Sequence, residues 1–354
     1  MLQPLLRPVA VAANDRLRGA SPVVLPAPPA LDLDFVGRPS LSYPGLPPLT
    51  FSRADAVPCA TYRDSAGIRR IAPANVPRFD HDVHGNRLGY LRENGRTNLL
   101  LNSTAPVTQK VNIASAGQFY ILSCEGSGSV AVTADTASIT ATGSATEGTP
   151  FQFQCNVTGD VDITVTGTVT AFQLELGIGG AHATSLIVTA GTSATRASET
   201  CSLSPSPWFR PEEGTMFAEF DPMPTGIVYA GIMLTVNDGT NNNAISLAPG
   251  TTGANQGVIR AGNVAQATFT DFTSSFLNGS FHRAAMAWRT NDVQFAGDGV
   301  LGTRDIGATI PAATMTTALI GVGLASNTPS TGWVRRLAYW PHRLPDPILQ
   351  TLTK

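Results

Sequence analysis

Ser129-Val-Ala-Val-Thr-Ala134, Ser138-Ile-Thr-Ala-Thr142, Phe151-Gln-Phe-Gln-Cys-Asn-Val157 and Val161-Asp-Ile-Thr-Val-Thr166 follow one another at a spacing of about ten residues. Each run alternates side chains between two faces, the period of a half-buried strand. Val, Ile and Thr suit a pleated surface, and the Gly, Ser and Asp between the runs suit turns. Regular short strands with turn signals between them predict a two-sheet sandwich or jelly roll over residues 104–203.

The same pattern extends outward in both directions. Downstream, Gly214-Thr-Met-Phe-Ala-Glu-Phe220, His282-Arg-Ala-Ala-Met-Ala-Trp288 and Trp333-Val-Arg-Arg-Leu-Ala-Tyr-Trp340 read as strands. Asn237-Asp-Gly-Thr240 is a turn signal, and Gly297-Asp-Gly299 closes a tight hairpin after Val293. Leu344 to Thr353 is the one convincing helix, with Asp346 placed to cap it and Pro347 at its first position. Upstream, Leu31-Asp-Leu-Asp-Phe35, Leu49-Thr-Phe-Ser52, Ala60-Thr-Tyr-Arg63 and Ile68 to Ala72 are short strand candidates. Asp80-His-Asp-Val-His-Gly85 reads as a loop, and Ser21-Pro-Val-Val-Leu-Pro-Ala-Pro-Pro29 as extended chain. The expectation is an all-β protein in three parts: an extended N-terminal arm over 1–50, a strand region with a jelly-roll sandwich over 51–203, and a second β-sandwich over 204–354.

Composition narrows the function. Of 354 residues, 14% are charged, against about 25% in an ordinary soluble domain. With 34 Gly and 26 Pro the chain is punctuated too often for long helices. A net charge of -2 provides no basic face for phosphates, so nucleic acid is not an expected partner. No apolar run has the length of a membrane span. Pro4, Arg7 and Pro8 interrupt the apolar start, which is not read as a signal peptide. Cys59, Cys124, Cys155 and Cys201 form no metal-type pair. Cys124 and Cys155 sit in strand-like runs and are read as small buried residues rather than a cross-strand bond.

Several spaced pieces resemble one known class. Phe51-Ser-Arg-Ala54, Ala60-Thr-Tyr-Arg-Asp-Ser-Ala-Gly67, Asn75-Val-Pro-Arg-Phe-Asp80 and Glu93-Asn-Gly-Arg-Thr-Asn-Leu-Leu-Leu101 resemble a block found in spike and fibre proteins of tailed bacteriophages. Phe172-Gln-Leu-Glu-Leu176, Ala183-Thr-Ser185 and Thr195-Arg-Ala197 resemble the end of the carbohydrate-binding-like jelly roll that follows it. The last part is similar to a concanavalin-A-like, laminin-G-type sandwich, on Phe217-Ala-Glu-Phe220, Gln294 to Val300 and the closing strand. The resemblance implies a structural virion protein that projects from the particle as a homotrimer, a head spike ahead of a tail fibre. Its arm, through Leu5, Leu6, Val23, Val24 and Leu25, would attach to other virion proteins, and its last domain would meet a host-surface glycan. The alternatives are a capsule-degrading depolymerase and a free secreted lectin.

The residues offer little catalytic chemistry. Glycoside hydrolysis needs two carboxylates facing each other across a sugar. Glu212, Glu213, Glu219 and Asp221 cluster in sequence, but Glu219 alternates with apolar neighbours and is expected to face solvent. No nucleophile elbow is present. His81, Asp82 and His84 are read as a polar turn and Asn237 to Asn243 as a hairpin tip, so no metal or other cofactor is expected. Sugar binding calls for aromatic platforms beside polar groups. Trp288 and Trp340 are expected in the core; Trp208 and Trp333 flank loops and are the candidate carbohydrate-binding residues.

Overall fold

The computed structural model describes residues 27–177, 183–222, 233–248, 256–270, 276, 280–322 and 331–354. The attachment candidates Leu5, Leu6, Val23, Val24 and Leu25 lie outside the described residues.

The chain is all-β. In chain order the strands are β1 (Leu31–Asp34), β2 (Thr50–Ser52), β3 (Thr61–Arg63), β4 (Arg69–Ile71), β5 (Arg78–His81), β6 (Arg87–Arg92), β7 (Arg96–Asn98), β8 (Gln109–Ile113) and β9 (Phe119–Glu125). Then come β10 (Ser129–Ala134), β11 (Ser138–Ile139), β12 (Gly143–Thr146), β13 (Phe151–Val157), β14 (Gly159–Thr166), β15 (Ala171–Gly177), β16 (Ala194–Arg196), β17 (Thr200–Leu203) and β18 (Glu213–Pro222). The last are β19 (Leu234–Asn237), β20 (Ala244–Leu247), β21 (Gly257–Ala261), β22 (Val264–Phe269), β23 (His282–Arg289), β24 (Asp292–Gly297), β25 (Val300–Leu301), β26 (Thr317–Ile320) and β27 (Gly332–Trp340), before helix α1 (Asp346–Leu352).

The first sandwich stacks β12-β10-β14-β8 on β11-β13-β9-β15-β7-β16. Alternation places Val130, Val132, Val161 and Ile163 inside from one sheet, against Leu122, Phe153 and Leu174 from the other, all almost fully buried. Cys124 and Cys155 are free and buried in this core. Their strands pair, but Phe151 lies opposite Leu122 and Gln154 opposite Phe119. The two cysteines are therefore at opposite ends of the β9–β13 pair.

The second sandwich stacks β25-β24-β23-β18-β27-β6-β5 on β2-β17-β26-β19-β20-β21-β22. Its membership corrects the expected boundaries. Leu31, Leu33, Phe35, Tyr43 and Leu49, expected in the arm, are buried in this core. The reason is β27, whose nine residues are long enough for two partners end to end. Gly332 to Val334 pair with β6, and Arg336 to Tyr339 pair with β1. Strands β2, β5 and β6 also belong here rather than with the jelly roll. The first sandwich, from β7 to β16, is thus an insertion between strands of the second. Asp298 (φ 47°) and Gly299 (φ 80°) turn β24 into β25, the two positive angles of a type I′ hairpin. Asp346 is not the helix cap: it is the first helical residue, and its carboxylate meets Arg343 at 2.6 Å.

The junction of the two sandwiches is a buried network of charge. Arg53, Arg78, Arg96 and Arg196 meet Asp55, Glu93, Glu175 and Glu199, all buried. Arg53 reaches Asp55 at 2.7 Å and Glu199 at 3.0 Å; Arg78 reaches Glu199 at 2.8 Å and Glu93 at 2.7 Å; Arg196 reaches Glu93 at 3.0 Å. Glu93 also accepts from the Ser185 amide and hydroxyl, both at 2.6 Å. The Thr184 hydroxyl receives Arg196 at 3.2 Å and donates to Glu175 at 2.7 Å. The network uses the residues that carried the phage-like motifs: Arg78 of Asn-Val-Pro-Arg-Phe-Asp, Glu93 and Arg96, Glu175, Thr184-Ser185 and Arg196.

Burial would raise the Glu93 carboxyl, but Arg196, Arg78 and the two Ser185 bonds outweigh it and hold the group down at about 2. Such a group stabilises the fold fully above its ordinary 4.5, and that contribution is lost as pH falls through about 2. Glu175 shifts the other way, raised by burial against Arg96 and Arg196, and so softens the upper part of the acid transition. Urea titrations between neutral pH and pH 2 should therefore show a steepening loss of stability below the ordinary carboxylate range. Arg196→Met should cost about 3–5 kcal/mol at neutral pH, because Glu93 keeps only one guanidinium. Leu33→Ala should cost about 2–5 kcal/mol in the same titration, as for any filled core position; a change under about 0.5 kcal/mol would put β1 outside the cooperative unit.

Candidate functional site

The large sheet has an inner and an outer face. Met216, Ala218, Phe220, Met286, Val334 and Leu337 face the core. Helix α1 covers one end of the outer face, over Phe217, Ala285, Ala338 and Trp340. Beyond the helix the outer face turns polar and aromatic.

Three neighbouring strands supply one row of this region. Phe220 pairs with His282 and Asp221 with Trp333. Phe281, Asp221 and Trp333 therefore stand side by side, with the two rings about 10 Å apart across Asp221 by strand spacing. Phe281 is 42% exposed and Trp333 is half-buried. The Trp333 indole N–H donates to Asp80 Oδ2 at 2.9 Å, and the Arg63 amide donates to Asp80 Oδ1 at 2.6 Å. The next row is charged. Glu219 Oε2 lies 3.3 Å from Arg283 Nε, and Glu219 Oε1 lies 3.3 Å from Arg335 Nε. Both guanidinium carbons sit 5.2 Å from the Phe281 ring centroid, which fixes the ring by cation–π attraction. Arg335 reaches this face because the register slips at Glu219/Phe220, where β27 holds one extra residue.

The two acids near the end of β18, Glu219 and Asp221, sit in different surroundings. Asp221 is raised by burial, against the pull of Arg335 and His282. Glu219, expected to face solvent, is instead clamped between two arginines. Asp80 is also raised, by burial, with the bonds from Arg63 and Trp333 opposing.

The other sequence candidates fall elsewhere. Trp208, expected to be exposed, is 5% exposed and offers no free face. Its ring packs on Phe209 at 5.5 Å and Tyr339 at 5.4 Å, and its N–H donates to the Ser204 carbonyl at 2.7 Å. The Pro-rich stretch around it folds back onto the sandwich edge, and Gly214 leaves room for Trp288 and Tyr339: a Cβ there would lie 2.6 Å from Tyr339. Trp288 and Trp340 are in the core as expected. His81 ends strand β5, buried with Nδ1 3.0 Å from the Arg63 carbonyl, so the expected loop begins only at Asp82, which accepts from the His84 and Asn86 amides to make the turn. Asp238 accepts from Thr240 and Asn243 in the same manner at its hairpin tip. Among the described residues no group of three or more His, Cys, Asp or Glu is placed to hold a metal ion. Phe281 is the residue sequence reasoning missed, although its alternation with buried His282 placed it outside beside Arg283.

A concavity of about 310 Å³ lies on the jelly roll where the β12–β13 loop meets the ends of β9 and β15.

No family model matches the chain, and no curated protein does. Among solved structures it is similar to domain 4 of AbnA, a GH43 extracellular arabinanase from Geobacillus stearothermophilus in complex with arabinotriose. That likeness has 14% identity and a TM-score of 0.36, over 44% of this chain and 73% of that one. It is also similar to the CBM40 of Ruminococcus gnavus IT-sialidase, at 17% identity and TM-score 0.34, over 41% and 84%. Trypanosoma rangeli sialidase overlaps 68% of this chain and 33% of its own, at 13% identity and TM-score 0.31. These neighbours are a carbohydrate-binding module and parts of glycosidases; likenesses of this size say nothing about what this chain binds, and they lend no support to a phage origin.

If Phe281 and Trp333 form one surface, Phe281→Ala should leave the thermal midpoint within about 2 °C while Trp333→Ala lowers it by more, because only Trp333 satisfies a buried partner, Asp80. Equal shifts would show that Phe281 is a packing residue.

Proposed function

We propose that this protein is a non-enzymatic adhesion subunit whose second sandwich takes a glycan on the outer face of its large sheet. The observation that supports this is the Phe281–Asp221–Trp333 row. Two aromatic rings about 10 Å apart suit the apolar faces of every second sugar unit along a chain, and the acid between them can accept hydroxyl hydrogens. Arg283 and Arg335 each keep an Nη2 group with no partner among the described residues, as donors at the rim. The motif resemblance extends the proposal: the chain would be a spike or fibre subunit of a phage particle, a homotrimer whose weak single sites gain by avidity.

A depolymerase is the rival, since two carboxylates stand close together on β18 and burial raises that of Asp221. Asp221 would be the acid and Glu219 the base. Two guanidinium contacts occupy Glu219, which is a poor start for a base that must activate water.

Glycan microarrays of the full chain test the proposal. Binding to at least one glycan class should fall about tenfold or more in Phe281→Ala, with the fold intact. Unchanged binding in that variant would remove the site, and release of reducing ends lost in Asp221→Asn would replace adhesion with hydrolysis. Light scattering should give three times the 37.0 kDa chain mass; a monomer at micromolar concentration would remove the avidity argument.

A further inference from the structure

The jelly roll holds a concavity that the sandwich site does not use. Its floor is the outer side of β9 and β15, where Ser123 and Glu125 project away from the core. One wall is the β12–β13 loop with Thr146, Thr149 and Pro150; the other carries Leu186. At about 310 Å³ it is at the small end of ligand pockets, the size for one compact molecule.

Its polar groups are unspent. The hydroxyls of Ser123, Thr146 and Thr149 make no side-chain hydrogen bond among the described residues, although neighbouring Thr184 and Gln173 are fully engaged with Glu175 and the Ile187 amide. Glu125 is tied on one oxygen only: Oε2 contacts Arg69 and lies 3.9 Å from Arg63 Nη2. Its other oxygen is free to accept. Those two arginines belong to the β3–β4 hairpin, and no Lys or Arg lines the pocket itself, so no cation is presented there to an acidic ligand. Three hydroxyls that both donate and accept, one fixed acceptor and apolar walls from Pro150 and Leu186 match a ligand that is itself hydroxylated and uncharged.

We propose that this pocket binds a single neutral pyranose unit, independently of the outer face of the second sandwich. The chain then carries two sugar sites of different character, a small pocket for one residue and an open face for a longer glycan.

Saturation-transfer NMR on the full chain, with glucose, galactose, mannose, N-acetylglucosamine and glucuronate at millimolar concentration, tests this. At least one neutral sugar should give a signal and glucuronate none. Thr149→Trp, in an exposed loop, should fill the pocket and reduce the signal about fivefold or more, and Glu125→Gln should weaken it in the same sense. Phe281→Ala should leave it unchanged. Silence from all four neutral sugars, an unaltered signal in Thr149→Trp, or an equal signal from glucuronate would each overturn the proposal. A signal lost in Phe281→Ala instead would move the sugar to the sandwich face and leave only the adhesion reading standing.

Discussion

Taking a charge out of water costs several kcal/mol unless a partner of opposite sign and further hydrogen bonds replace the lost hydration. The junction of this protein buries four arginines and four carboxylates together, so each one depends on the others. They come from both sandwiches. Arg53, Arg78, Glu93 and Glu199 lie in or beside strands of the second, while Arg96, Glu175 and Arg196 lie in strands of the first. Arg53 and Arg78 find carboxylates within the second sandwich, but Glu93 gains its second guanidinium, Arg196, only when both sandwiches have formed and met in one orientation. An apolar interface of similar area could slide; a guanidinium held by carboxylates on two sides cannot. The network therefore acts less as a source of net stability than as the constraint that makes the arrangement unique.

That constraint explains how an insertion is tolerated. The chain leaves the second sandwich after β6 and returns to it at β17. Exit and entry strands β7 and β16 pair with each other, Arg96 opposite Arg196. The insertion is thus anchored by a two-strand neck, with the charge network around it. The outer face of the large sheet begins beside this neck, since Asp80 of β5 holds Trp333 and is itself held by the Arg63 amide.

Much of this was legible in the sequence, but unevenly. Periodicity found the strands of the jelly roll because Val130, Val132, Val161 and Ile163 alternate with polar residues in a local window. It found β1 for the same reason yet could not find its partner: Asp32 and Arg336 are 304 residues apart, and period says nothing about pairing over that distance. The arm boundary failed there. The phage-like motifs were visible as words without meaning, since charged residues read singly are taken as surface, and only the fold shows Arg78, Glu93 and Arg196 closing on each other. At the candidate site, Trp333 was found by its residue type, Trp208 was misplaced because proline-rich flanks resemble a loop, and Arg335 depended on a register slip that no local pattern encodes.

The β1–β27 pairing has a mechanical side. Leu31 lies opposite Tyr339 and Asp34 opposite Arg336, so the start of one strand meets the end of the other. Tension between those two ends would peel the hydrogen bonds one after another, as in a zipper, rather than load them in parallel. The jelly roll, which the chain enters and leaves at its neck, lies off that load path. A pull through the sandwich would strip β1 first and leave the inserted domain, with its charge-locked neck, unstrained.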